Sequence, residues 1–159
     1  MEDSDFHKHQ PTYVGVKVCD EWLDYQNFAD WFDEQVRSGA YKSGWHLDKD
    51  VLSPKGGKVY SPDTCIFLPK DLNNILICKP SCRGECVRGV NRDGNKFTAR
   101  ISRGKLPLII KSFDTELEAF NYYKLHKELH VKELVAEYQN SLPQQVVEFF
   151  NSYEVSIDD

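Results

Sequence analysis

Two glycine turn signals, Asp93-Gly94 and Arg103-Gly104, cut the stretch before Phe113 into three short extended segments, VRGVNR, NKFTARIS and KLPLIIKSF. Such dipeptides supply the backbone freedom that a tight hairpin connection needs. In the middle segment Phe97, Ala99 and Ile101 alternate with Lys96, Thr98, Arg100 and Ser102, so one strand face is apolar and the other polar. Asp114 or Thr115 then opens a long helix, with Thr115 and Glu118 at capping-box spacing. Its apolar positions Leu117, Phe120, Tyr123, Leu125 and Leu129 mostly follow helical spacing, and the pattern runs on to Tyr138. Leu142-Pro143 breaks the helix, and Pro143–Tyr153 forms a short amphipathic one through Val146, Val147, Phe149 and Phe150. The expected second half is a three-stranded antiparallel sheet packed on a long helix, followed by a short C-terminal helix.

Charge singles out the same region. Residues 86–111 carry seven basic side chains, Arg88, Arg92, Lys96, Arg100, Arg103, Lys105 and Lys111, against the single acid Asp93. The chain as a whole has a formal charge of −5, so the remaining residues sum to −11. A concentrated basic stretch in an acidic protein is the electrostatic footprint of a polyanion site, because phosphate binding depends on local counterion release. The alternative is a solvated, cation-rich edge that blunts sheet-to-sheet pairing.

The first half reads differently. Residues 1–12 form a polar tail. From Asp20 to Val36 the positions Trp22, Leu23, Phe28, Trp31, Phe32 and Val36 recur at helical spacing, with Asp20 as N-cap and Gly39 as stop. WHLDKDVL then reads as a strand, SPKGG as a turn, and KVYSPDTCIFL as a second extended segment. Pro69 begins a short helix to about Ile75. The order strand, turn, strand, helix makes a ββα unit. Residues 78–86 read as a linker, which sets the organisation as 13–77, 87–140 and a C-terminal 141–159, an α+β chain throughout.

No apolar run approaches the roughly 18 residues of a membrane span. The N-terminus, MEDSDFHKHQ, is acidic and polar and does not read as a secretory signal. Five cysteines, an odd number, point to reduced thiols. Cys78, Cys82 and Cys86 form Cys-x3-Cys-x3-Cys without a second pair, and are read as free thiols in a connector rather than a zinc site.

Both halves resemble known families. RGVNRDGNKFTARISRGKLPLIIKSFDTELEAFNYY resembles the DNA-binding domain of the APETALA and ethylene-response-factor type, through Gly89-Val90, Phe97-x-Ala99-x-Ile101, Phe113-Asp114-Thr115 and Glu118-Ala119 with Tyr122 or Tyr123. Similar domains lie on the C-terminal side of phage-encoded HNH homing endonucleases. VCDEWLDYQNFADWFDEQ, LDKD and KVYSPDTCIFLPKDLNN are similar to the helix and nuclease motif of those same proteins. The resemblance covers Tyr13 to about Tyr138. It implies a sheet laid in the DNA major groove, with Lys96, Thr98 and Arg100 on the contact face and Arg88, Arg92, Arg103, Lys105 and Lys111 extending it. It also implies a viral protein acting on double-stranded DNA in the host-cell cytoplasm.

The nuclease motif is degenerate. An HNH site needs a histidine base, and a carboxylate with an Asn or His to hold one divalent metal. Asp48 stands at the carboxylate position and Asn73 (or Asn74) at the last one, with Asp48 and Asn73 the metal-holding pair if Mg²⁺ or Mn²⁺ binds. Lys49 stands where the base belongs, and Thr64 where the central Asn is expected. His46, two residues before Asp48, is the candidate for a displaced base. Lys49 is better suited to hold a backbone phosphate. The expected function is DNA binding with lost or weak cleavage. The alternatives are an active nicking endonuclease using Asp48, Asn73 and His46, or a phage effector that binds a host protein through its acidic helices and the apolar LPLII strand. The oligomeric state is left open.

Overall fold

The computed structural model describes residues 15–53, 58–77 and 85–158. The expected N-terminal tail, most of the SPKGG turn, and Cys78 and Cys82 of the linker lie outside them. Contacts divide the chain into two units, Met1–Leu68 and Pro69–Asp159.

In the first unit, strand β1 (Lys17–Val18) leads into a 3₁₀ turn (Asp20–Leu23) and helix α1 (Tyr25–Arg37). The helix begins later than Asp20 because Asp24, not Asp20, caps it: its carboxylate accepts from the Gln26 amide at 2.9 Å. Strand β2 (Trp45–Asp48) pairs with β4 (Ile66–Pro69), while β3 (Val59–Tyr60) runs parallel to β1 in the register Lys17↔Val59 and Val18↔Tyr60. The segment expected as one extended piece, KVYSPDTCIFL, is therefore two strands in two different sheets. The Ser61–Cys65 turn divides it, closed by a Cys65 amide to Ser61 carbonyl bond of 3.0 Å. Apolar faces of α1 and β4 meet in an aromatic cluster, where Trp31 and Phe67 stack with centroids 5.6 Å apart and Trp22 lies 4.8 Å from Trp31.

The second unit begins with helix α2 (Lys70–Leu76) and continues with strands β5 (Val90–Asp93), β6 (Lys96–Arg103) and β7 (Leu106–Phe113). Helices α3 (Glu116–Tyr138) and α4 (Gln144–Asn151) follow. The three strands form an antiparallel sheet in chain order, as expected, with two-residue connections at Gly94-Asn95 and Gly104-Lys105. Gly94 and Gly104 have φ of 60° and 62°, the left-handed value that a first central hairpin residue needs and that glycine adopts without strain. The Thr115–Glu118 capping box is formed. One sheet face packs on α3 through Val90, Ala99, Ile101, Ala119, Phe120 and Tyr123.

Two expectations change here. The linker reading placed the division at 78–86, yet α2 buries Leu72 and Ile75 and contacts α3, so the unit boundary precedes it. On α3 the residues Leu117, Leu125 and Leu129 are exposed, and the buried face carries Ala119, Phe120, Tyr123, His130, Val131, Leu134 and Val135. The helix touches the sheet with its first half and α2 and α4 beyond it, so no single apolar stripe serves its whole length.

Candidate nucleic-acid interface

Cross-strand partners in an antiparallel sheet project to the same side. Val90, Ala99 and Lys111 share one side, and Thr98 lies opposite Asn91 and Ser112 on the other. The face turned away from α3 thus carries Asn91 and Asp93 from β5, Lys96, Thr98, Arg100 and Ser102 from β6, and Ile110 and Ser112 from β7. Lys96 and Arg100 are exposed on this face, two strand repeats (four residues) apart. Arg100 sits across from Ile110, and no hydrogen bond or ion pair of its guanidinium is found among the described residues. Lys96 is paired with Asp114 and lies across from Asp93, so much of its charge is met locally. Thr98 is nearly buried, its hydroxyl 3.0 Å from that of Ser112.

The other basic residues are placed elsewhere. Arg92 pairs in register with Phe97 on the α3 side, and its Nε donates to the Gly94 carbonyl. Lys111 also lies on the α3 side, its ammonium 4.8 Å from the Tyr122 ring centre and 5.3 Å from that of Phe113. Arg88 precedes β5 and is half-buried. Arg103 donates from Nε and Nη2 to the Pro107 carbonyl at 3.3 and 3.0 Å, holding the β6–β7 connection. The ladder slips there: Ile101 faces Ile109 but Arg103 faces Leu106, which leaves one extra residue in β7. Pro107 falls in that bulge, where a residue without an N–H is tolerated. Lys105 is exposed in the connection. Lys96, Thr98 and Arg100 therefore share a surface, with Lys105 in the connection at one end of β6, whereas Arg88, Arg92, Arg103 and Lys111 do not extend that face.

The nuclease-like positions are occupied structurally. Asp48 is buried, and its Oδ1 accepts from the amides of Asp50 and Val51 at 2.9 Å each, closing the bend that ends β2. Burial raises its pKa despite those two bonds. Lys49 belongs to the first unit, its side chain 12% exposed, paired with Asp50 at 2.5 Å and lying 5.8 Å from the Tyr60 ring centre. Thr64 Oγ1 donates to the Val59 carbonyl at 2.7 Å and accepts from the Ser61 amide at 3.0 Å. His46 is exposed on β2 while Asp48 is buried. Asp48 lies in the first unit and Asn73, on α2, in the second. Among the described residues no group of three or more His, Cys, Asp and Glu side chains is arranged to hold a metal. Cys19, Cys65 and Cys86 are free thiols, and burial pushes those of Cys65 and Cys86 above the usual range.

One feature escaped sequence reasoning: a polar cleft in the second unit lined by Lys127 and His130 of α3. The signal was present as two basic residues at positions i+4 and i+7 from buried Tyr123, on the helix's core side. No helix among the described residues is long and apolar enough to cross a membrane. In comparisons with known proteins, no family model, curated protein or solved structure matches the chain.

Proposed function

We propose that the protein binds double-stranded DNA through the outward face of β5–β6–β7, as a phage protein working in the host-cell cytoplasm on a nuclease-type scaffold with lost or weak cleavage. The observation that carries this reading is Arg100 and Lys96 exposed on one side of β6 with the helix on the other. Arg100 has donors available to a guanine edge or a phosphate, and Lys96 and Lys105 suit phosphates. The two turn-closing bonds of Asp48 and those of Thr64 support the loss of cleavage, because both side chains already serve the backbone.

Fluorescence anisotropy with a labelled duplex tests the reading. Arg100→Glu with Lys96→Glu should remove most of the binding. With two or three phosphates neutralised, log Kd should vary against log salt with a slope of about 2–3. An unchanged affinity in the double variant overturns the assignment of the face. Supercoiled plasmid incubated with Mg²⁺ or Mn²⁺ tests the enzymatic alternative, and nicking abolished by Asp48→Ala would establish it.

A second reading, a host-protein partner, is favoured by one observation. Leu106, Leu108 and Ile110 on edge strand β7 are 51%, 45% and 55% exposed. A protein retained from nuclease-treated lysate by the wild type and released by Ile110→Asp would support it.

A further inference from the structure

Helix α2, the β6–β7 connection and helix α3 enclose a cleft of about 230 Å³ within the second unit, lined by Asp71, Asn74, Ser102, Arg103, Lys127 and His130. A cation withdrawn from water is costly unless an anion meets it. Lys127 is half-buried, and the charged group acting on it is a second cation, Arg88; burial and that neighbour both hold its pKa below the ordinary value. His130 is 6% exposed and its Nδ1 is buried without a hydrogen-bond partner among the described residues. The Glu133 carboxylate lies 3.9 Å away, beyond hydrogen-bond reach. The guanidinium of Arg103 is fixed by its two bonds to the Pro107 carbonyl, so it is positioned before any ligand arrives. Among the described residues the cleft thus brings together two cations, Lys127 and Arg103, and the unpartnered imidazole of His130, with the carboxylates of exposed Asp71 and, beside His130, Glu133, while Asn74 and Ser102 add neutral donors.

Lys127 from α3 and Arg103 from the end of β6, converging on a small polar cavity beside an unpartnered imidazole, suit an anion, and Arg and Lys are both established phosphate-binding groups. We propose that this cleft binds a phosphate group, either a small phosphorylated molecule or the terminal phosphate of a nucleic-acid strand. The site is separate from the sheet face and stands whether or not that face binds DNA.

Isothermal titration of the full-length protein with inorganic phosphate is the test. The expected result is one site per chain, weakened about tenfold or more by Lys127→Met. The same substitution should leave the melting temperature unchanged or raised, because it replaces a half-buried charge whose resolved charged neighbour is another cation by an apolar chain of similar length. Arg100→Glu should leave phosphate binding intact, which separates this site from the sheet. No binding at millimolar phosphate, or equal binding by Lys127→Met, overturns the proposal. Duplexes with 5′-phosphate and 5′-hydroxyl ends then compete against phosphate. Competition by the phosphorylated duplex alone identifies a strand end, and competition by neither identifies a small molecule. Equal competition by both overturns the proposal.

Discussion

At Asp48 one carboxylate oxygen closes two backbone bonds in a bend that also buries Val51. Those bonds require an acceptor, not a charge, and burial makes the charge unfavourable. Asp48→Asn should therefore match or exceed wild-type stability at pH 7, whereas Asp48→Ala, which strands both amides, should lose about 1–3 kcal/mol. Urea unfolding of the two variants checks this, and an Asn variant as damaged as the Ala variant would return the carboxylate to a charge-dependent role. His130 gives a second expectation. It faces Lys127 and Glu133 on its own helix, Arg103 from the end of β6 and Asp71 from α2, and burial first, then Lys127, lowers its pKa below 6.5. Because the folded pKa is depressed, the unfolded chain binds the proton more readily, and unfolding gains as pH falls below 6.5. The contribution is whole above that pH and lost as pH drops toward the folded pKa. His130→Gln should flatten this part of the pH dependence, read from urea midpoints at neutral and mildly acidic pH.

The sheet and its helix depend on a close approach that few residues permit. Gly89 has φ of 78°, and a Cβ there would fall 2.2 Å from the Tyr123 ring, while its carbonyl accepts the Arg100 amide at 2.9 Å. Gly89→Ala should cost about 1–2 kcal/mol for the left-handed backbone and about 1–3 kcal/mol for displacing the ring. A melting temperature equal to wild type would show that the ring moves freely. Local signals made these elements legible: glycine turns, strict alternation in β6 and the capping box each depend on neighbours in sequence. Three features were not legible for the same reason. Whether a basic residue of β5 or β7 joins the outward face depends on cross-strand register, which sent Arg92 and Lys111 to the helix side. The division of KVYSPDTCIFL between two sheets depends on the pairing of β3 with distant β1. The placement of α2 depends on Leu72 and Ile75 finding a partner far along the chain. Alternation along β6 alone thus fixes which of its side chains share a face, whereas the side taken by basic residues on β5 and β7 depends on pairing that the sequence does not display.

Across the whole molecule the charge is unevenly divided. Residues 1–68 hold seven basic and twelve acidic side chains, and residues 69–159 hold thirteen of each, so the entire formal charge of −5 belongs to the first unit. The second unit is neutral overall and contains the exposed Arg100, Lys96 and Lys105, as well as the polar cleft. If the sheet face carries DNA binding, the first unit brings a net negative charge to the complex, and its Lys49 is paired with Asp50 and largely covered. A tethered charge of −5 then opposes a polyanion by a repulsion that salt screens, with a Debye length of about 10 Å at 0.1 M salt. The core of the second unit is drawn from Val90 through Val155, and Lys124 and Glu128 bind the Val155 carbonyl and amide at 2.8 and 2.9 Å, fastening the C-terminal segment to α3. A polypeptide of residues 69–159 should therefore fold cooperatively. It should bind duplex more tightly than the full chain at low salt, with the difference shrinking as salt screens the repulsion. Circular dichroism melting and anisotropy at several ionic strengths measure both. Weaker duplex binding by a folded 69–159 fragment would mean that the first unit contributes phosphate contacts after all, and would restore Lys49 and its neighbours to the interface.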